Sequence, residues 1–85
     1  IQNLALLPAD DLYATGAAAF EEARWRRAIT YLETFVNAYI GDPRAPDARM
    51  KLGQAHMRQR EYATAATHFE RLIIDFPSSP LNLQA

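Results

Sequence analysis

Between residues 25 and 39 the chain reads WRRAITYLETFVNAY, with apolar side chains at Trp25, Ala28, Ile29, Leu32, Phe35, Val36 and Tyr39. Steps of three and four put all of them on one face of an α-helix, a stripe that has to be buried against another element. Residues 62 to 76, YATAATHFERLIIDF, carry the same stripe at Tyr62, Ala65, Ala66, Phe69, Leu72, Ile73 and Phe76. Sliding the chain by 37 positions also pairs Asp10 with Asp47, Gly16 with Gly53, Ala18 with Ala55, Glu33 with Glu70 and Pro43 with Pro80. A period between about 20 and 50 residues marks a solenoid, in which each unit buries its apolar face on its neighbour.

Each unit reads as two helices. The spacing predicts the first helix over 9–22, with Asp10 or Asp11 placed to cap it and to complement its dipole, and the second over 24–39. GDPRAP then ends the unit, because Gly, Asp and Pro do not continue a helix there. The second unit repeats the plan near 47–59 and 61–76 and ends in PSSP. Ser79 before Pro80 reads as an N-cap with a first-turn proline, so PLNLQA predicts a third unit just starting. The expected organisation is an N-terminal extension at 1–8, repeats at 9–43 and 44–80, and the truncated start of a third repeat at 81–85. The fold class is all-α, a solenoid of antiparallel helix pairs. Gly16 and Gly53 fall inside helices, where glycine costs about 1 kcal/mol relative to alanine. A mid-helix glycine at the same place in both units predicts close approach of a second helix, with Ala28 and Ala65 as the small partners. Trp25 and Tyr62 are then expected to fill the wider gap between the helices of each unit.

Composition narrows the function. Hydrophobic residues make up 49% of the chain, too many for a disordered segment, and only three are glycine, as in helical proteins. A formal net charge of -1 lacks the basic surplus of a nucleic-acid binder. Without cysteine there is no disulfide, thiolate metal site or cysteine nucleophile. No apolar run approaches the ~20 residues that span a bilayer. The start at Ile1 reads as that of an excised or processed piece.

Gly16 with Ala18, Trp25 and Ala28, then Gly53 with Ala55, Tyr62, Ala65 and Pro77, resemble the tetratricopeptide repeat. Three features depart from it. The period exceeds the family's usual ~34, Phe35 and Leu72 replace a small residue late in the second helix, and Ala23 and Arg60 stand where the turn glycine belongs. The longer unit ending in FPSSP is typical of tetratricopeptide proteins of the Gram-negative periplasm. LYATGAAAF, WRRAITYLE and NAY resemble the first repeat of the lipoproteins that serve the outer-membrane β-barrel assembly machinery. That resemblance implies a scaffold on the periplasmic side of the outer membrane. Its protein partners would be outer-membrane protein precursors and subunits of the assembly complex. It would touch the membrane only through a lipid anchor outside these residues, and would bind precursors through its N-terminal repeats.

Catalytic signals are weak. His56 aligns with Ala19 and is expected to be partly packed, and His68 aligns with Tyr31; neither has a second His or Cys at metal-ligand spacing, both read as ordinary helix histidines, and no metal or cofactor is expected. Ser78 and Ser79 lie at a helix start, where serine is a favoured cap. Glu21, Glu22, Arg24, Arg26 and Arg27 form a solvated charged turn. The chain is therefore expected to be a binding protein and not an enzyme. In tetratricopeptide folds the first helix of each unit lines the concave groove, which by resemblance makes Tyr13, Ala17, Phe20, Glu21, Met50, Lys51, Gln54, Met57 and Arg58 peptide contacts. Tyr39, at the end of the first stripe, is the leading candidate for a substrate contact, with its hydroxyl free to reach a bound chain. Two alternatives remain open: a periplasmic coordinator of the Tol-Pal type, and a helical accessory domain of a larger envelope enzyme. A co-chaperone clamp for acidic tails fits poorly, because only Lys51 and Arg58 supply the basic side chains it needs.

Overall fold

The computed structural model describes residues 4–75 of the chain. A 3-10 turn over Leu4–Leu6 leads into four helices: α1 (Ala9–Glu21), α2 (Trp25–Ala38), α3 (Ala45–Arg58) and α4 (Tyr62–Asp75). The helices pack in chain order, α1 on α2, α2 on α3 and α3 on α4, with α1 also touching α3. This is an all-α arrangement of two helical hairpins. Ser78, Ser79, Pro80, the ring of Phe76 and the start of a third unit lie outside the described residues.

The stripe on α2 is buried on both sides. Ala28, Leu32, Phe35 and Val36 meet Leu12 and Ala19 of α1 and Ala48 and Leu52 of α3 in one core. Phe35 is the largest fully buried side chain. Among the described residues the face of α4 is covered on one side only: Ala65 and Leu72 are buried, whereas Ile73 and Ile74 are 50% and 67% exposed.

Gly16 and Gly53 do mark close approach, but the opposing residues are not the expected alanines. A Cβ on Gly16 would lie 2.6 Å from Leu32 Cγ and 3.3 Å from the Leu32 backbone nitrogen. One on Gly53 would lie 2.5 Å from Phe69 Cε1. Ala28 and Ala65 sit one helical turn earlier on the same faces, and both are buried. Tyr62 departs further from expectation. It is 60% exposed and does not fill the gap in its unit, whereas Trp25 is half-buried with its ring edge-on to Phe20, centroids 5.3 Å apart.

The helix ends also differ from expectation. Neither Asp10 nor Asp11 caps α1; the N-cap is Pro8, with no side-chain hydrogen bond, and both aspartates lie in the first turn. Asp10 instead accepts Arg44 Nη1 at 2.8 Å. α3 starts two residues before the expected 47, because Pro46 fits the first turn, where its missing N–H leaves no partner unsatisfied. Asp42 takes the role of organising residue here. Its carboxylate accepts the Arg44 backbone N–H at 2.8 Å and the Arg44 guanidinium at 3.0 and 2.9 Å. The Arg44 hydrogen bonds hold the Asp42 carboxyl down at about 2.

Ala23 and Arg60 explain how the turns survive without glycine. Both are left-handed, with φ of 62° and 63°. Each follows a helix closed by paired bonds, Arg24 N to Ala19 O at 2.8 Å with Ala23 N to Phe20 O at 3.0 Å, and Glu61 N to His56 O at 2.8 Å with Arg60 N to Met57 O at 3.0 Å. This is the Schellman closure, which favours glycine at the left-handed position. A side chain there costs roughly 1–2 kcal/mol, part of which is offset because glycine loses more freedom on folding. Ala23→Gly and Arg60→Gly are each expected to raise stability by about 0.5–1 kcal/mol in urea unfolding. An unchanged or lower midpoint in both variants would contradict the left-handed turns.

Candidate functional site

The end of the first hairpin's turn faces the end of the second across a cleft of ≈ 530 Å³ lined by Phe20, Trp25, Gln54, Met57, Arg58 and Tyr62. Phe20 lies in the last turn of α1 and Trp25 begins α2, so the left-handed turn at Ala23 places the two rings edge to face. Gln54, Met57 and Arg58 come from the last turns of α3, and Tyr62 from the first residue of α4. The guanidinium of Arg58 lies 5.7 Å from the Trp25 ring centre, and the Lys51 ammonium 5.7 Å from that of Phe20. Both contacts are within cation–π range. Met57 is 47% exposed and, with the open Tyr62 ring, leaves apolar surface in solvent beside two cations.

Of the residues chosen from sequence, Phe20, Gln54, Met57 and Arg58 converge on this cleft, and Lys51 stands at its edge. Ala17 and Met50 are half-buried on α1 and α3, and Glu21 is exposed at the end of α1; none of the three lines the cleft. Trp25 and Tyr62 do line it, although the sequence assigned both to packing within their units. Their signal was present: the 37-residue shift pairs them, and each directly follows the turn that ends a first helix.

Tyr13 and Tyr39 are engaged inside the protein. The Tyr39 hydroxyl donates to the Leu7 carbonyl at 2.7 Å, and its ring lies 6.1 Å from that of Phe35. It therefore ties the segment before α1 to the end of α2. Tyr13 packs its ring 5.5 Å from Phe35 and donates its hydroxyl to Asp47, which also accepts the Lys51 ammonium at 2.9 Å. Arg44 covers the same two rings at 5.4 and 5.5 Å. Burial, then the hydrogen bond and charge of Asp47, push the Tyr13 phenol up to about 12. Burial raises Asp47, but the Tyr13 hydroxyl and the Lys51 ammonium outweigh it and leave the carboxyl below its ordinary value.

These bonds join the first hairpin to the second, so Tyr13→Phe is expected to cost about 1–2 kcal/mol at neutral pH. The alkaline dependence has a definite sign. An unfolded tyrosine ionises near 10 while folded Tyr13 holds its proton to about 12, so stability is lost as pH rises through that window. Urea midpoints at pH 8 and pH 11 should converge between the parent and Tyr13→Phe. A constant gap would place the hydroxyl outside this network.

Residues 13–80 match the Tetratricopeptide repeat family. The chain is a tetratricopeptide repeat protein. Its two helical hairpins and the glycine approach between paired helices accord with that membership. Over 54 residues it is 35% identical to "Outer membrane protein assembly factor BamD" of Helicobacter pylori, an alignment covering 64% of this chain and 24% of the relative. The chain thus spans about a quarter of the length of that relative. No solved structure matches it significantly. Among the described residues no helix is long and apolar enough to cross a membrane.

Proposed function

We propose that this tetratricopeptide chain is a non-catalytic scaffold that captures outer-membrane protein precursors as extended peptides in the Phe20–Tyr62 cleft. In this reading it works on the periplasmic side of the outer membrane, within the machinery that assembles β-barrels, and docks on other subunits of that machinery. The likeness to an outer-membrane protein assembly factor supports the system. The observation that carries the site is the cleft itself, where Trp25, Phe20, Met57 and Tyr62 offer apolar surface beside Arg58 and Lys51. A β-strand presents alternate side chains to one face. The C-terminal strand of a barrel precursor would supply aromatic groups for the apolar wall and a terminal carboxylate for the cations. Methionine adapts to varied side chains, as a receptor for many precursors requires.

Ordering a flexible peptide opposes binding, so the affinity should be modest, on the order of micromolar. The test is a titration of a labelled peptide copying such a terminal strand, alongside a scrambled peptide of equal composition. Preference for the native order, weakened when the terminal carboxylate is amidated, is the expected result. Equal binding of both peptides would overturn the assignment.

A further inference from the structure

We propose that Glu33, His56 and His68 form a binding site for a divalent transition-metal ion of the Zn²⁺ type at the junction of the two repeats. Sequence spacing gave no hint of it, since the three residues come from α2, α3 and α4. Nor are the histidines surface residues: His56 is 6% exposed and His68 9%. Their rings stack with centroids 5.2 Å apart. One carboxylate and two imidazoles bring their donor atoms within 4.8 Å of one another.

His56 is prepared for ligation. Its Nδ1 lies 2.7 Å from Glu61 Oε1, and an ionised carboxylate only accepts, so Nδ1 carries the proton and Nε2 presents its lone pair. A carboxylate behind a histidine in this way fixes the tautomer and raises the basicity of the ligating nitrogen. His56 Nε2 is buried and has no hydrogen-bond partner among the described residues. Its neighbour is Glu33 Oε2 at 3.7 Å, with His68 Nε2 4.0 Å from the same oxygen. A buried ring nitrogen with its lone pair turned toward a carboxylate, here the half-exposed Glu33, is unfavourable unless a proton or a metal cation stands between them. Bonds of about 2.0–2.2 Å to a tetrahedral ion would separate the donors by roughly 3.4 Å. The rings are within 16° of parallel, so their in-plane lone pairs do not converge on one point, and closing on an ion requires one or both rings to swing out of the stack toward Glu33. Two imidazole nitrogens and one carboxylate oxygen select Zn²⁺, Co²⁺ or Ni²⁺ over Ca²⁺ and Mg²⁺, which prefer all-oxygen shells. Glu33 and His56 also line a cleft with Arg26, Ile29, Thr30 and Glu61, which gives an ion a path from solvent.

Arg49 opposes the ion. Its guanidinium lies 3.2 Å from His68 Nδ1 and can only donate, which leaves the His68 proton on Nε2. Ligation moves that proton to Nδ1 and displaces Arg49, and the positive charge of Arg26 at the cleft adds to the opposition. Binding is therefore weaker than in a closed structural site, and an ion bound there would clamp the second helix of one repeat to both helices of the next. The inference is independent of the peptide-binding reading, because none of the three donors lines the Phe20–Tyr62 cleft.

The protein, freed of metal with EDTA, would be titrated with Zn²⁺ by calorimetry and melted with and without saturating Zn²⁺. Binding of one equivalent, with a Tm rise of about 5 °C or more, is expected. Both histidines are buried, so Glu33→Gln, at a side chain 45% exposed, leads the test, with His68→Gln, which keeps a polar amide in place of the ring, as its companion. Each should remain folded in EDTA and bind at least about tenfold more weakly. Arg49→Gln should bind about tenfold more tightly, because its amide oxygen can accept the Nδ1 proton that the ligated His68 then carries. No Tm response in the parent protein overturns the site, as does a Zn²⁺ affinity unchanged by Glu33→Gln and His68→Gln, or not increased by Arg49→Gln.

Discussion

Gly16→Leu is expected to remove about 3 kcal/mol or more of stability, and Gly53→Leu somewhat less. An 85-residue chain has roughly 4–13 kcal/mol in total, so the first variant should be close to unfolding at ordinary temperatures. The asymmetry follows from the opposing atoms. At Gly16 the obstacle is the branch carbon of fully buried Leu32, with the Leu32 backbone only 3.3 Å away. Neither can move without shifting α2. At Gly53 the obstacle is the edge of the Phe69 ring, which is half-buried on the more open α4 and can swing outward. Alanine separates two opposing effects. It favours the helix by about 1 kcal/mol, yet its Cβ would lie 2.6 Å from Leu32 Cγ. Gly16→Ala should therefore still destabilise, while Gly53→Ala stays near neutral. Gln54→Ala, at an exposed position, should change stability by less than about 0.5 kcal/mol. Urea midpoints for the series test the order. Equal midpoints for Gly16→Leu and Gln54→Ala would remove close helix approach as the reason for these glycines.

The helical repeat was legible because a 3.6-residue stripe occurring twice leaves few other ways to bury it. Leu32, Phe35 and Leu72 were readable as core for the same reason, and all three are buried. Partners across helices were harder. Gly16 signals that something is near, but whether Ala28 or Leu32 stands opposite depends on a one-turn shift between helices that no local pattern records. Side-chain polarity misled in a different way. Tyr39 reads as a ring with a spare hydroxyl, yet the hydroxyl reaches a carbonyl 32 positions earlier, on Leu7. The two histidines gave no sign of a shared site because each lacks a ligand on its own helix. Their neighbours come from other helices, and His56 meets Glu61 only through the turn at Arg60. Ala23 and Arg60 show the reverse case. There the hydrogen-bond closure of the turn imposes a glycine conformation on residues that do not prefer it.

Trp25→Ala is expected to have the largest effect on peptide capture, at least about thirtyfold, the range of an aromatic anchor worth about 2 kcal/mol or more. Trp25 combines the traits of such an anchor. Its ring is half-buried, held edge-on by Phe20 and covered by Arg58, so little freedom remains to be lost on binding. That support also makes the variant ambiguous, because removing the ring loosens Phe20 and lowers stability. Tyr62→Ala resolves the ambiguity. At 60% exposure Tyr62 contributes little to folding, so its loss should leave the urea midpoint nearly unchanged while weakening the peptide about three- to tenfold. Arg58→Gln acts through charge. It should weaken a peptide with a free C-terminal carboxylate more than its amidated form, with the difference shrinking as salt is added. The amidated peptide thus reports the ring contacts alone. If Tyr62→Ala binds as the parent does, and Arg58→Gln weakens both peptide forms equally or neither, the cleft is not where the chain is held. Capture would then fall to the half-buried face of α1 and α3 carrying Ala17 and Met50.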